Sequence, residues 1–175
     1  WLIRKAGQID ANFMNDIHDF IHDGKIRQAI DLCQKYDSPV ARLVEKGIDR
    51  IGRPLQDIQT AVENTGSVEV ARLEKGLPML ATIAGGAPMI GFLGTVTGMI
   101  QAFFRMSTAG NNIDITLLSG GIYEAMVTTV GGLFVGIIAY FGYNFLTSQI
   151  SNLVFKMESA TIEFIDMLHE PADKE

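Results

Sequence analysis

Charged residues are absent from two long stretches of this sequence. Residues 76–104 and residues 125–155 form runs of 29 and 31 positions without a single Asp, Glu, Lys or Arg. A helix needs about 20 predominantly apolar residues to cross a bilayer. A soluble domain of 175 residues has no reason to contain two such runs. We therefore predict an integral membrane protein with spans at about 77–104 and 121–155.

Cysteine is almost absent as well. The single residue Cys33 excludes an internal disulfide and is typical of a reducing compartment, where a buried thiol is the common case.

The chain also has no initiator methionine and opens with Trp1-Leu2-Ile3-Arg4-Lys5. Aromatic and aliphatic residues followed by a basic pair are typical of the cytoplasmic end of a membrane helix. We therefore expect a further N-terminal transmembrane helix ahead of this sequence.

Basic residues are scarce on one side of the two spans. Of the 14 Lys and Arg residues, 11 lie in residues 1–75 and two in residues 156–175, whereas the 105–124 connector has only Arg105. The positive-inside rule then places both termini in the cytoplasm and the connector outside. This predicts three parts: a cytoplasmic region (1–75), a transmembrane hairpin (76–155) and a cytoplasmic tail (156–175).

The N-terminal part has the periodicity of amphipathic helices. Apolar residues recur at helical spacing in two segments, the first of which ends near Gly24. Ser38 followed by proline predicts the N-cap of a third helix, which breaks near Gly52. A fourth helix begins at Leu55 and is expected to run on into the first span. No segment has a β pattern, so the predicted fold class is all-α.

Small residues and proline mark the spans. Gly94 and Gly98 are four positions apart, as are Gly132 and Gly136, and this spacing lets helix backbones approach closely in lipid. Helix packing alone explains these glycines. Pro88 removes one backbone hydrogen bond from the first span and is expected to bend it.

Polar residues inside the spans are harder to explain by packing. We take Phe104 and Leu118 to mark the same outer surface of the membrane. At a rise of 1.5 Å per residue, Thr95 then lies about 14 Å and Thr129 about 16 Å below that surface, so both hydroxyls approach the bilayer midplane. Thr128 is adjacent, and Glu124 lies about 9 Å deep. A carboxylate at that depth must face water or a partner unless Glu124 is an interfacial acid outside the lipid. Each threonine has the alternative of bonding the carbonyl four residues earlier in its own helix.

Two other patterns indicate chemistry only weakly. His18 and His22 have the spacing of a zinc-binding helix, but their segment lacks an obvious third ligand. Gly86 and Gly91 have the spacing of a phosphate-binding loop, but Phe92 stands where lysine is required. No basic-aromatic patch indicates nucleic acid. We therefore predict no metal, no cofactor and no enzyme activity, and a metallohydrolase resting on the two histidines is the weakest alternative.

Two runs of sequence are similar to known signatures. Residues 87–103 (APMIGFLGTVTGMIQAF) and residues 120–133 (GGIYEAMVTTVGGL) resemble the two signatures of the ExbB/TolQ/MotA proton-channel family. The resemblance covers about residues 70–155 and is closest to the ExbB branch. Family members have a further span ahead of their cytoplasmic region, in line with the expectation from residues 1–5.

The resemblance implies a mechanism and partners. It implies a homopentamer in the bacterial inner membrane that surrounds a dimer of an ExbD/TolR-type single-span partner, whose aspartate binds and releases protons. Proton flow would turn the partner within the ring, and a TonB-type protein would carry the energy to outer-membrane uptake. The pore-lining positions implied are Thr95, Glu124 and Thr129. Thr128 and Tyr123 depart from the small residues common in the family, which leaves open which adjacent threonine faces the pore.

Other functions are compatible with the same residues. A TolQ-like or MotA-like motor subunit would serve envelope maintenance or motility and would have the same signatures. A non-conducting membrane scaffold, whose polar residues only join helices, would need the same small and hydroxyl residues. The sequence does not distinguish protons from sodium ions.

Overall fold

The computed structural model describes residues 12–108 and 115–169. Helices account for all regular structure in these ranges, which confirms the all-α prediction. They are α1 (Phe13–His22), α2 (Ile26–Lys35), α3 (Pro39–Ile48), α4 (Leu55–Leu73), α5 (Leu77–Thr108) and α6 (Ile115–His169). The chain divides into two compact units, residues 1–75 with 148–175 and residues 76–147. Helix α6 contributes residues to both units.

Local sequence signals fix the helix ends in the first unit. Helix α1 is followed by Gly24 with φ +70°, a left-handed conformation that glycine adopts without strain. The Ser38 hydroxyl accepts a hydrogen bond from the Ala41 N–H at 3.1 Å, and Pro39 occupies the first turn of α3. The glycine stop and the serine N-cap are both confirmed. These caps satisfy backbone groups that the first and last turns leave unpaired.

The core of the first unit lies between helices α1 to α4 and the C-terminal part of α6. Phe164 on α6 is fully buried, and its ring lies so close to Gly47 that no side chain fits there. Phe13 and Ile17 are also fully buried on the face of α1 that the apolar spacing predicts. The remaining members of this core are Ala29, Cys33, Val40, Ala41, Leu43, Val44, Ile48, Ile58, Val62, Leu153, Met157 and Ala160.

A buried carboxylate joins two helices of the first unit. Glu69 on α4 is only 4% exposed, and it accepts hydrogen bonds from Arg42 at 2.6 Å and Arg72 at 3.0 Å. Arg42 also contacts Asp37 at 2.9 Å. The hydrogen bond to Glu69 raises the pKa of Arg42 above its ordinary value, against the opposing effect of burial. These contacts compensate Glu69 for the loss of its hydration.

Helix α4 does not continue into the first apolar helix, so that prediction is wrong. Helix α4 ends at Leu73 with Glu74 as its C-cap, and α5 begins at Leu77. Gly76 has φ +96°. A residue without Cβ takes this conformation cheaply, and the left-handed backbone interrupts the helical hydrogen-bond ladder.

The second unit is built from α5 and residues 115–147 of α6, which pack antiparallel. The contacting pairs run in opposite directions along the two helices: Ala102 with Gly121, Gly98 with Ala125, Gly91 with Gly132, and Pro88 with Gly136. The two helices leave only residues 109–114 between them, so helix fills much of the predicted 105–124 connector. Helix α5 remains continuous through Pro88.

The outer surface of the second unit is apolar. One segment within Leu55–Thr108 and one within Leu118–His169 are long and apolar enough to cross a membrane, and only 6% and 17% of these segments is buried. Large side chains such as Phe92, Phe134 and Phe141 are 65–70% exposed. A core helix of a soluble protein would bury these side chains, whereas a lipid-facing helix exposes them.

Candidate functional site

Two threonine hydroxyls meet between α5 and α6. The Oγ1 atoms of Thr95 and Thr129 are in direct hydrogen-bond contact. Thr129 Oγ1 also lies 3.1 Å from the carbonyl oxygen of Gly91, and Thr95 Oγ1 lies 3.4 Å from the carbonyl oxygens of Gly91 and Ala125. Each hydroxyl has one proton to donate. Two protons therefore have four oxygen atoms within reach, and the bonds can be exchanged by rotating the hydroxyls.

Glycine makes this meeting possible. A Cβ atom placed on Gly132 would lie 2.7 Å from the Gly91 Cα, closer than side chains tolerate. The bare backbones therefore approach each other, and each threonine can reach a carbonyl of the opposite helix. The sequence analysis attributed the glycines of the spans to helix packing but did not single out Gly91. Its signal was available, because Gly91 lies four positions before Thr95 and seven before Gly98, on the same helical face.

The adjacent Thr128 makes a different bond. Its Oγ1 donates to the carbonyl oxygen of Ala125 at 2.7 Å, within its own helix. Its side chain lies over Gly94, where an added Cβ would overlap it. Of the two neighbouring threonines, Thr129 is the one whose hydroxyl bonds to a carbonyl of the opposite helix. Thr128 therefore bonds back to its own helix, to the carbonyl three residues earlier rather than the expected four, and Thr129 does not.

Glu124 lies apart from the hydroxyl pair. Its exposed side chain lines a cavity of about 150 Å³ together with Gln101, Arg105 and Thr128. Within the described residues no ion pair joins Glu124 to Arg105, although both line the same cavity. Sequence reasoning did not single out Gln101 or Arg105 as site residues. Their spacing of four positions on α5 was the signal that could have found them.

The glycines singled out from the sequence all lie in the contact between α5 and α6. Added Cβ atoms would meet Thr128 from Gly94, Ala125 from Gly98, and the Ala87 carbonyl from Gly132. Gly136 faces the ring of Pro88, so this proline also belongs to the contact. By contrast, an added Cβ would meet nothing within 4 Å at Gly85, Gly86, Gly120 or Gly131. Position relative to the neighbouring helix separates the two sets, and glycine content alone does not.

The two histidines of α1 stack on each other in the first unit. The ring centroids of His18 and His22 are 6.1 Å apart with an interplanar angle of 20°. Over the described ranges, no group of three or more His, Cys, Asp or Glu side chains has an arrangement that could hold a metal ion. A structural zinc site would need four protein ligands.

Comparison with known proteins connects these features to one family. The family model of the MotA/TolQ/ExbB proton channel family matches residues 35–159, more than two thirds of the chain. The chain belongs to the MotA/TolQ/ExbB proton channel family. This confirms the resemblance found from the two signatures. The matched segment contains both the threonine pair of the second unit and the buried Glu69 of the first.

Individual relatives come from more than one branch of the MotA/TolQ/ExbB family. A protein named as a biopolymer transport protein ExbB homolog in Methanothermobacter thermautotrophicus is 29% identical over 157 residues, covering 89% of this chain and 55% of the relative. The biopolymer transport protein ExbB of Xanthomonas campestris is 32% identical over 102 residues, covering 58% and 40%. The Tol-Pal system protein TolQ of Haemophilus influenzae is 36% identical over 104 residues, covering 59% and 45%.

This chain spans only about half the length of these relatives, between 40% and 55%. Family membership is established for residues 35–159, the segment that the family model matches. The MotA/TolQ/ExbB family consists of membrane proton channels and is not a known class of enzymes.

Proposed function

We propose that this chain is the channel-forming subunit of a proton-driven motor in the bacterial inner membrane. In this proposal a homopentamer surrounds a dimer of an ExbD/TolR-type single-span partner, and proton flow moves the partner relative to the ring. A TonB-type protein passes the energy on to outer-membrane uptake. The chain termini lie in the cytoplasm and the 105–124 segment in the periplasm, as the distribution of basic residues predicts.

The observation that carries this proposal is the threonine pair. Thr95 and Thr129 place two hydroxyls and two backbone carbonyls together on helices whose outer side chains are apolar. Hydroxyls can solvate a proton that passes, and they hold no permanent charge that would trap a cation. The geometry therefore suits a path that protons enter and leave quickly.

Glu124 has a separate role in this proposal. It lies toward the connector end of the hairpin and lines its own cavity, so it would gather protons before they reach the threonines or bond to a neighbouring subunit. Glu124→Gln retains hydrogen bonding and removes the charge, whereas Glu124→Ala removes both. A milder loss of proton flux in Glu124→Gln than in Glu124→Ala favours the bonding role. Equal losses favour the proton-gathering role.

Reconstitution tests the proposal. The full protein is placed in vesicles with and without its single-span partner, and proton entry is followed with a pH-sensitive dye under an imposed potential. The proposal expects proton flux that requires the partner. A non-conducting scaffold would give no flux in either preparation, although the complex would still assemble. Native mass spectrometry of the detergent-extracted protein checks the pentamer, and a monomer under mild conditions would contradict it.

The choice between branches requires a cellular experiment. Loss of the gene should abolish TonB-dependent nutrient uptake if the proposed coupling is right. A TolQ-like role predicts instead a leaky envelope with uptake unchanged, and the similarity to a TolQ protein is the observation that favours this second candidate. A MotA-like role predicts loss of motility.

A further inference from the structure

A polar flank runs along one side of the α5–α6 pair. We define the polar flank as the five side chains Thr97, Gln101, Arg105, Glu124 and Thr128, which line the cavity of about 150 Å³. The other lining residues are all glycine or alanine. Within each helix the polar residues are four positions apart, so they form one row on α5 and one on α6. The cavity therefore has polar walls over a floor of small residues.

The polar flank contrasts with its surroundings. Neighbouring side chains on the same helices are apolar and exposed, among them Ile100 at 62%, Phe104 at 67% and Val127 at 51%. Lipid is a poor environment for guanidinium, carboxamide and carboxylate groups. The polar flank must therefore face water or protein, while the apolar sides of the two helices face lipid.

The polar flank contains one charge of each sign. Arg105 and Glu124 are the only charged residues that the structure describes between residues 76 and 147. Their charges cancel over the cavity as a whole. Because these two described side chains form no ion pair with each other, both groups retain hydrogen-bonding capacity for water.

Such a cavity treats protons and metal cations differently. A metal cation must give up hydration water for several oxygen ligands, and the one anionic ligand lining this cavity, Glu124, shares it with the fixed positive charge of Arg105. A proton needs only a chain of hydrogen bonds. Gln101, Thr97 and Thr128 supply donors and acceptors that can hold water in such a chain.

We propose that Arg105 is a specificity-determining residue, whose fixed positive charge keeps metal cations out of the cavity beside Glu124 while protons pass through bound water. This inference rests on the proposed function, which supplies the ion path. Without Arg105 the cavity has a lone carboxylate and a net negative charge, which attracts sodium.

The test uses the full protein and two independent readouts. Sodium binding is measured by sodium NMR line broadening in detergent, and sodium and proton fluxes are measured in vesicles with the partner. The variants are Arg105→Gln, Arg105→Lys and the double variant Arg105→Gln/Glu124→Gln. Arg53→Gln removes an equal charge from an exposed position of the first unit and is the matched control.

We expect Arg105→Gln to bind sodium at least about tenfold more tightly than the wild type, and to admit sodium into vesicles. Arg105→Lys and Arg53→Gln should exclude sodium as the wild type does, and the double variant should lose the gain. Unchanged sodium binding in Arg105→Gln would overturn the proposal, as would a gain that persists without the Glu124 carboxylate. Absence of proton flux in the wild type would reject the proposed function, while the binding comparison still decides the role of Arg105.

Discussion

The hydroxyl oxygens of Thr95 and Thr129 are in direct contact, although 34 positions separate them in the chain. Thr95 lies on α5 and Thr129 on α6, and each reaches a carbonyl oxygen of the other helix. The contact joins the two helices through polar atoms in a setting that is otherwise apolar. Substitutions at these two positions can therefore remove a hydroxyl while they keep the shape of the side chain.

Replacing either threonine by valine should block proton flux and leave assembly intact. Valine has nearly the same shape, so Thr95→Val and Thr129→Val should each change stability by only about 1 kcal/mol. Proton flux in vesicles should fall at least about tenfold, because a tenfold loss needs only about 1.4 kcal/mol in the barrier. Thr82→Val is the matched control, since the exposed Thr82 hydroxyl donates to the Pro78 carbonyl of its own helix. Full flux in both variants would place the path elsewhere.

Adjacent glycines should respond oppositely to alanine. Gly132→Ala places a methyl group against the Gly91 backbone and should destabilise the helix pair by about 1–3 kcal/mol. Gly131→Ala meets nothing within 4 Å and should be neutral or stabilising by up to about 1 kcal/mol, because alanine favours helix. Thermal unfolding in detergent, followed by circular dichroism, measures both. Equal effects would show that the α5–α6 contact is looser than described.

Substitutions of Glu69 and of its exposed partner Arg72 should have unequal effects on stability. Glu69→Ala leaves the half-buried Arg42 without its buried partner, and we expect a loss of about 3 kcal/mol, at the low end for a broken buried pair because Arg42 is 33% exposed. Arg72→Ala should cost less than about 1 kcal/mol, because Arg72 is 63% exposed. Denaturant titration in detergent gives both values. A larger loss from Arg72→Ala would contradict the assignment of Glu69 as the centre of the cluster.

Cys33 should resist alkylation until the first unit unfolds. Burial, with a smaller contribution from the nearby Glu45 carboxylate, raises the pKa of the Cys33 thiol from 9.0 to about 12. Little thiolate therefore forms in the folded protein at pH 9.0, the ordinary pKa of the thiol, and iodoacetamide should react only in denaturant. Fast labelling of the folded protein would show that the α1–α4 core opens readily.

The raised pKa of Cys33 also predicts that the folded protein loses stability at high pH. The folded state holds the thiol proton more tightly than the unfolded state, so this contribution is complete below about pH 9 and is lost as pH rises toward about 12. Cys33→Ala removes the titrating group. The variant should therefore lose less stability than the wild type over this window, measured as the slope of unfolding free energy against pH. Parallel slopes would contradict the buried thiol.

Most helices could be predicted because their causes are local. The Gly24 stop, the Ser38 N-cap and the apolar face around Ile17 depend on residues within a few positions of one another. The break between α4 and α5 was missed because the apolar pattern continues up to Leu73 and then resumes. Gly76 and Pro78, which lies in the first turn of α5, signal the break, but glycine and proline are also common inside membrane helices.

Chain composition by itself determined the membrane character and the identity of the candidate polar residues. An uncharged run of 29 or 31 residues is longer than a bilayer requires, and a hydroxyl inside it is conspicuous wherever the helix turns. Only the tertiary structure decided that Thr129 bonds across the helix pair while Thr128 bonds within its own helix. It also brought Arg105 and Glu124 to one cavity. Sequence spacing gives the face of a single helix, but the register between two helices depends on how their small residues interlock, and that becomes known only when both backbones are placed.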